Sequence, residues 1–278
     1  MPFDENLISR NFEKLQRNLS QLSSNSAAES VYRFRTYSRR VEVFLGELSG
    51  KPGRNQKKLQ KLLAKLRKKA GRVRDLDVQS ALLRSLKTPQ APMQKSQLYR
   101  TLVDERVKRE RKLAKAFDKK TVSEIRKRLR RVEREVETPK SLEPVQAAKR
   151  LLNDVGHDHG PITEPVLHRY RMAVKRARYV TELAGGKANT QHVSEQLKHV
   201  QDVIGDWHDW LLLSERAEKL FGGVQDSALV AELRNVTRAK FREAVRASND
   251  IRAVFNPKLI MHVVESRPAR AQAASSAA

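Results

Sequence analysis

His168, Arg171, Lys175 and Arg178 follow one another at steps of three and four residues. On a helix that spacing sets side chains along one edge, about a turn apart. The line offers hydrogen-bond donors and positive charge, which is the chemistry of holding an anion. Tyr32, Arg35, Arg39 and Glu42 form an earlier line of the same spacing. A second pair of lines is Ala64, Arg67, Gly71 and Arg74, then Lys198, Gln201, Gly205 and His208, separated by nearly the same stretch of chain. Such lines run along the edge of a buried face, so lines on packed helices converge on a groove. Gly71 and Gly205 would let another backbone or a ligand approach there.

The elements that position these residues read as helices. Apolar residues step by three and four through Ile8, Phe12, Leu15, Leu19 and Leu22, then through Val31, Phe34, Val41, Leu45 and Leu48, where Ser38 fills one core slot. Leu59, Leu63, Leu66, Ala70 and Val73 continue the pattern. Leu167, Tyr170, Val174 and Ala177 repeat it, as do Leu197, Val200, Ile204, Trp207 and Leu211, and finally Leu229, Leu233, Val236 and Val245. Strand-type alternation is scarce, so the periodicity predicts an all-α protein of amphipathic helices in bundles. Trp207 falls on the core register, and Trp210 is expected to be more exposed.

Helix stops are expected at Ser49–Gly53, Thr88–Pro92, Thr138-Pro139, Asp158–Pro161, Gly185-Gly186 and Gly222-Gly223. Gln94–Glu137 is thinly apolar and reads as two or more charged helices with partial packing. Val31–Arg40 echoes Leu167–Arg176, and Gly71–Leu76 echoes Gly205–Trp210, in the same order and at nearly the same offset. A duplicated unit of about four helices explains both. It divides the chain into a first half, 1–137, a second half, 138–265, and a tail, 266–278, that has nothing to bury and is expected to be disordered.

Composition narrows the partner. The 278 residues hold 57 Lys+Arg against 32 Asp+Glu, a net charge of +25. Residues 1–137 carry +20 of it and the remainder +5. Between Lys51 and Arg74 stand 11 basic residues and no acidic one. Cysteine is absent, which excludes disulfides, thiolate metal sites and thiol catalysis. No apolar run has the roughly 18 residues that span a bilayer, so no membrane partner is expected. The acidic start MPFDENLISRNF is unlike a secretory leader, and a cytoplasmic protein with an anionic partner is the expectation.

The string His168-x-x-Arg171-x-x-x-Lys175-Arg176-x-Arg178-Tyr179 resembles the CHAD domain, the conserved histidine α-helical domain. So do Arg74-Asp75-Leu76-Asp77 and Gln201–Asp209, and the resemblance covers roughly residues 6–265. It implies two pseudo-symmetric four-helix bundles around a basic groove or channel, binding of inorganic polyphosphate, and for some members location at polyphosphate granules. Carried onto this sequence, the implied polyphosphate-binding residues are Arg35, Arg39, Arg40, Arg67, Arg74, His168, Arg171, Lys175, Arg176, Arg178, Lys198 and His208. Asp75 and Asp209 would orient the arginines. Tyr32 stands where the first-half histidine is usual and Glu42 where a basic residue is usual. The second set, Arg171, Lys175 and Arg178, is therefore expected to outweigh Arg35 and Arg39.

Two other readings compete. The charge, and the run Arg126–Arg134, would suit a nucleic-acid backbone, with location at the nucleoid. Against it, aromatics are only 5%, which gives few platforms for base stacking. An enzyme of phosphate metabolism would need a triphosphatase signature, Glu-x-Glu-x-Lys, or a Walker loop. The nearest string, Glu133-Arg134-Glu135-Val136-Glu137, lacks the lysine, and no Walker loop is present. His157-Asp158-His159 has no third ligand nearby, and the Asp75/Asp77 and Asp206/Asp209 pairs read as salt-bridge partners. The expectation is a non-enzymatic binder with no cofactor and no metal.

Overall fold

The computed structural model describes residues 3–24, 27–137, 143–156, 162–185 and 188–255. Among them the only regular structure is helical: α1 Glu5–Ser24, α2 Ala28–Val43, α3 Arg54–Ser85, α4 Pro92–Ala114, α5 Lys119–Glu135, α6 Pro144–Gly156, α7 Glu164–Glu182, α8 Ala188–Phe221 and α9 Ala228–Phe255. The expected stops at Thr138-Pro139 and Asp158–Pro161, residue Gly186 and the tail 266–278 lie outside the described residues. The other stops hold. Gly185 and Gly222 end α7 and α8 with φ of +74° and +85°, where a Cβ would be strained.

The duplication extends to the elements. Helices α2, α3 and α4 begin at Ala28, Arg54 and Pro92, and α7, α8 and α9 begin at Glu164, Ala188 and Ala228, so the three starts recur at nearly one offset. Helix α1 takes the place of α6, and α5 has no counterpart. Neighbours repeat too: α1 packs on α2 and α6 on α7, α2 on α3 and α7 on α8, α3 on α4 and α8 on α9. The two sets meet through equivalent helices, α2 against α7 and α3 against α8.

Apolar packing does not stop at the end of the first half. One cluster joins Phe12, Phe34, Leu63 and Leu129 with Ala148, Val174, Ile204 and Ile251. A smaller cluster joins the later turns of α3 and α8 to α4 and the start of α9, through Leu83, Leu98, Leu213 and Leu229. Trp207 is buried as its register requires, and Trp210, expected to be more exposed, is buried in the smaller cluster. The offset of three residues keeps Trp210 on the same face as Trp207, where α4 and α9 cover it.

Helix α4 explains its thin apolar pattern. Only Leu98, Leu102 and Leu113 of it are buried. Polar contacts add to these, among them ion pairs and the Gln94 side-chain carbonyl oxygen, which accepts from Ser227 Oγ at 3.0 Å. Arg106 bonds Asp77 on α3 at 2.7 Å, and Glu105 holds both Arg109 and Arg216 of α8.

Helix α2 ends in a wide π-type turn, Phe44–Leu48, which leaves Gly46 exposed. The buried Gln56 of α3 closes it: its amide donates to the Leu45 carbonyl at 2.6 Å and to Ser49 Oγ at 2.7 Å. Gln56→Leu keeps the volume and strands that carbonyl, so urea unfolding should register a loss of about 1–3 kcal/mol. An unchanged stability would mean that water replaces the amide at no cost.

Candidate anion-binding site

The four helices that relate the two halves also build the site. Arg35 and Arg39 come from α2, Arg171 and Lys175 from α7, Asp75 from α3 and Asp209 from α8. All six stand close enough to feel one another's charge. Burial pushes the Arg35 guanidinium down from its usual value; Asp75 opposes that and Arg39 adds to it. Arg171 is pushed down in the same way, with Asp209 and Asp75 opposing. Burial, then Arg171, brings the Lys175 amine down to about 7. Asp75 is pushed up by burial and by Asp209, against the pull of Arg35.

The glycines act as the sequence spacing suggested, in one half more than the other. A Cβ on Gly71 would run into the Arg35 guanidinium, which bonds the Arg67 carbonyl at 3.2 Å. At Gly205 a Cβ would meet nothing within 4 Å. Gly71 therefore seats Arg35, and Gly205 has open space beside it.

The second pair of lines forms the rim. His168 stacks on His208 with ring centroids 5.4 Å apart and planes 29° apart. At the equivalent place in the first half Arg74 lies over the ring of Tyr32, 5.9 Å from its centre. Thus Tyr32 replaces one histidine and Arg74 the other, and the contact survives as cation and ring. Burial, then His208, lowers the pKa of His168.

Several buried polar atoms here have no hydrogen-bond partner among the described residues: Arg67 Nη1, Arg171 Nε, Gln201 Oε1 and His208 Nδ1. Buried polar groups are nearly always paired, so each of these atoms is a place for water or a ligand to bond. Cavities reach the cluster from two sides. One of 570 Å³ between α3, α4 and α8 ends at Asp75. A groove of 440 Å³ between α2 and α3 begins at Arg39.

Other expected residues sit differently. Arg40 and Arg178 share Glu182, at 2.8 and 2.7 Å, and the Arg176 Nε bonds Glu47 at 2.7 Å. Arg40 and Arg176 are equivalent in the repeat, so these are two reciprocal ion pairs that clamp α2 to α7. Arg67 bonds Glu42 at 2.5 Å, beside Arg39 at 3.2 Å. Glu42, in the place equivalent to Arg178, thus balances two arginines. Lys198 is exposed on α8, about 15 Å along the helix from His208. The halves supply the centre evenly, so the geometry gives no ground for the second set outweighing the first.

Tyr179 belongs to this region as well. Burial pushes its phenol up, opposed by Arg178. Its spacing of four from Lys175 was the available signal. Glu182 carried the same signal toward Arg178, four residues before it, but its contact with Arg40 and that of Glu47 with Arg176 cross between helices and cannot be read from spacing.

The CHAD domain family matches residues 6–218, and the chain belongs to it. The crystal structure of the CHAD domain from the plant Ricinus communis superposes with a TM-score of 0.65 at 17% identity, covering 90% of this chain and 89% of that one. PptA from Streptomyces chartreusis superposes with a TM-score of 0.65 at 14% identity, covering 94% of this chain and all of that one. No curated protein matches the sequence. Among the described residues no helix is long and apolar enough to cross a membrane, and no group of three or more His, Asp or Glu is placed to hold a metal.

The buried Lys175 has a consequence for stability. The unfolded chain keeps that proton to about pH 10.5, the folded chain only to about pH 7. Between those values the unfolded state binds more protons, so this residue's contribution to stability rises with pH. Lys175→Met should therefore stabilise the free protein most at pH 7 and below, and the gain should shrink as pH rises toward 10. Chemical denaturation across that range measures it; a gain independent of pH would contradict the burial of a titrating amine.

Proposed function

We propose that the protein binds inorganic polyphosphate, without catalysis, in the space where α2, α3, α7 and α8 meet. One observation carries the reading: four basic side chains, two from each half, gather with Asp75 and Asp209 in a largely buried cluster that cavities reach at Asp75 and at Arg39. Two like charges about 4 Å apart near a protein surface repel by roughly 4 kcal/mol. An anion bearing several charges relieves that repulsion, and a single phosphate relieves less of it than a chain. Arginine forks reading phosphate oxygens from both halves suit a linear ligand that passes between equivalent helices. Membership of the CHAD family supports the same ligand. Hydrolysis has little support: Asp75 and Asp209 face arginines and a lysine, and each is placed to balance charge.

Titration with long-chain polyphosphate at near-physiological salt tests this. Arg35→Ala and Arg171→Ala should each weaken binding by about tenfold or more, a loss of about 1.4 kcal/mol or above. Similar losses in the two variants are expected because the two arginines are equally enclosed. Binding unaffected by either change would remove the reading, and equal affinity for duplex DNA or RNA would turn it toward nucleic acid.

Proton linkage gives a second test. Phosphates beside Lys175 favour its charged form, so binding above pH 7 takes up a proton. Affinity should fall as pH rises from 7 to 9 at constant ionic strength. Lys175→Arg keeps its charge throughout and should flatten that fall. A variant with the wild-type pH profile would assign the proton elsewhere.

A further inference from the structure

The charge asymmetry between the halves has no role in the central cluster, which draws equally on both. Its seat is α3. Arg54, Lys57, Lys58, Lys61, Lys65, Lys68 and Arg72 are all exposed or line a cavity, and no acidic residue stands among them. At 100° per residue they fall within a sector about 100° wide, and the line runs for about 27 Å along the helix. Among the described residues none of Lys57, Lys58, Lys61, Lys65 and Lys68 is in an ion pair. With Gly71 aligned on Gly205, the equivalent positions on α8 are Gln191, His192, Glu195, His199 and Asp202. The stripe therefore belongs to one half and is not a by-product of the duplication.

The groove between α2 and α3 joins this stripe to the centre. Arg39 opens into it from the cluster, and Gln60 and Lys61 line its outer part. Gly46 and Ala64 keep it free of long side chains. Its acids are already engaged: Glu42 with Arg39 and Arg67, and Glu47 with Arg176. A polyanion leaving the cluster along this groove meets Lys61 and then the lysines above and below it. On α8 the same exit would bring it to Glu195 and Asp202.

We propose that the α2–α3 groove and the lysine stripe of α3 form an outer subsite for the same phosphate polymer, so that a chain leaving the central cluster along that groove is held further and long chains are held more tightly than short ones. This rests on the central reading. A ligand that spans both places binds the second as an intramolecular event, which raises affinity without changing the first contact. A ligand confined to the cluster gains nothing from lysines on the outer stripe, because salt screens exposed charges beyond about 8 Å.

The experiment compares tripolyphosphate with long-chain polyphosphate at 0.15 M salt. One variant carries Lys57, Lys58, Lys61, Lys65 and Lys68 changed to Gln. A control removes the same charge from the exposed face of α5, at Lys119, Lys120, Lys127, Arg130 and Arg131. Exposed changes of this kind seldom alter stability, and circular dichroism verifies it. The expected result is an affinity for the long chain about tenfold lower in the stripe variant, with tripolyphosphate unaffected and the α5 variant like the wild type. An unchanged long-chain affinity in the stripe variant would overturn the subsite. So would an equal loss in the α5 variant, which would make the effect one of net charge. Arg35→Ala with Arg171→Ala separates the two readings: if that double variant binds both ligands like the wild type, the central site is wrong and the subsite falls with it.

Discussion

Crowding of like charges in a place short of water governs this molecule. Arg35, Arg39, Arg171 and Lys175 share a space with Asp75 and Asp209, and among the described residues the only further carboxylate bonded to them, Glu42 on Arg39, is shared with Arg67. Burial alone would expel such groups, and Lys175 answers by giving up its proton near neutrality. The rest of the fold is arranged to hold them there. Equivalent helices face one another, so each half brings two basic side chains and one carboxylate to the space between them. The reciprocal pairs Arg40–Glu182 and Arg176–Glu47 clamp α2 to α7 against the repulsion between them. A continuous apolar cluster through both halves leaves them little freedom to separate.

Such a site stores unfavourable energy that an anion can release. The orphaned atoms on Arg67, Arg171, Gln201 and His208 point the same way, since each lacks a bond that a phosphate oxygen or an ordered water would supply. A pocket for one small anion would need donors converging on a single point. Here they come from opposite helices, and cavities open on two sides, which suits a ligand with extent. The His168–His208 stack and its counterpart, Arg74 over Tyr32, keep a flat rim of stacked polar groups on both halves by different means.

Much of this could be read from the sequence, and the reasons are physical. Steps of three and four residues fix a helical face whatever lies opposite, so the all-α class, the stripe positions and the core place of Trp207 followed directly. The repeat fixed which residues are equivalent, and both rim contacts join pairs that it aligns. Partners across the interface were beyond reach. Arg40 and Arg176 have the right spacing for the anion, yet Glu182 and Glu47 from across the interface engage them, and Glu182 also holds Arg178 of its own helix. Trp210 misled for the same reason: its neighbours on α4 and α9 are distant in sequence. In Gln94–Glu137 the few apolar residues are enough to mark charged helices, but not the contacts to α3 and α8, Arg106–Asp77 and Glu105–Arg216, that hold α4.

The most direct measurement is a crystal structure of the protein with polyphosphate bound. The account predicts a chain of phosphate density between α2 and α7, with oxygens bonded to Arg35 and Arg171 from opposite halves. Density confined to the outer surface, with the central cluster holding only water, would contradict it.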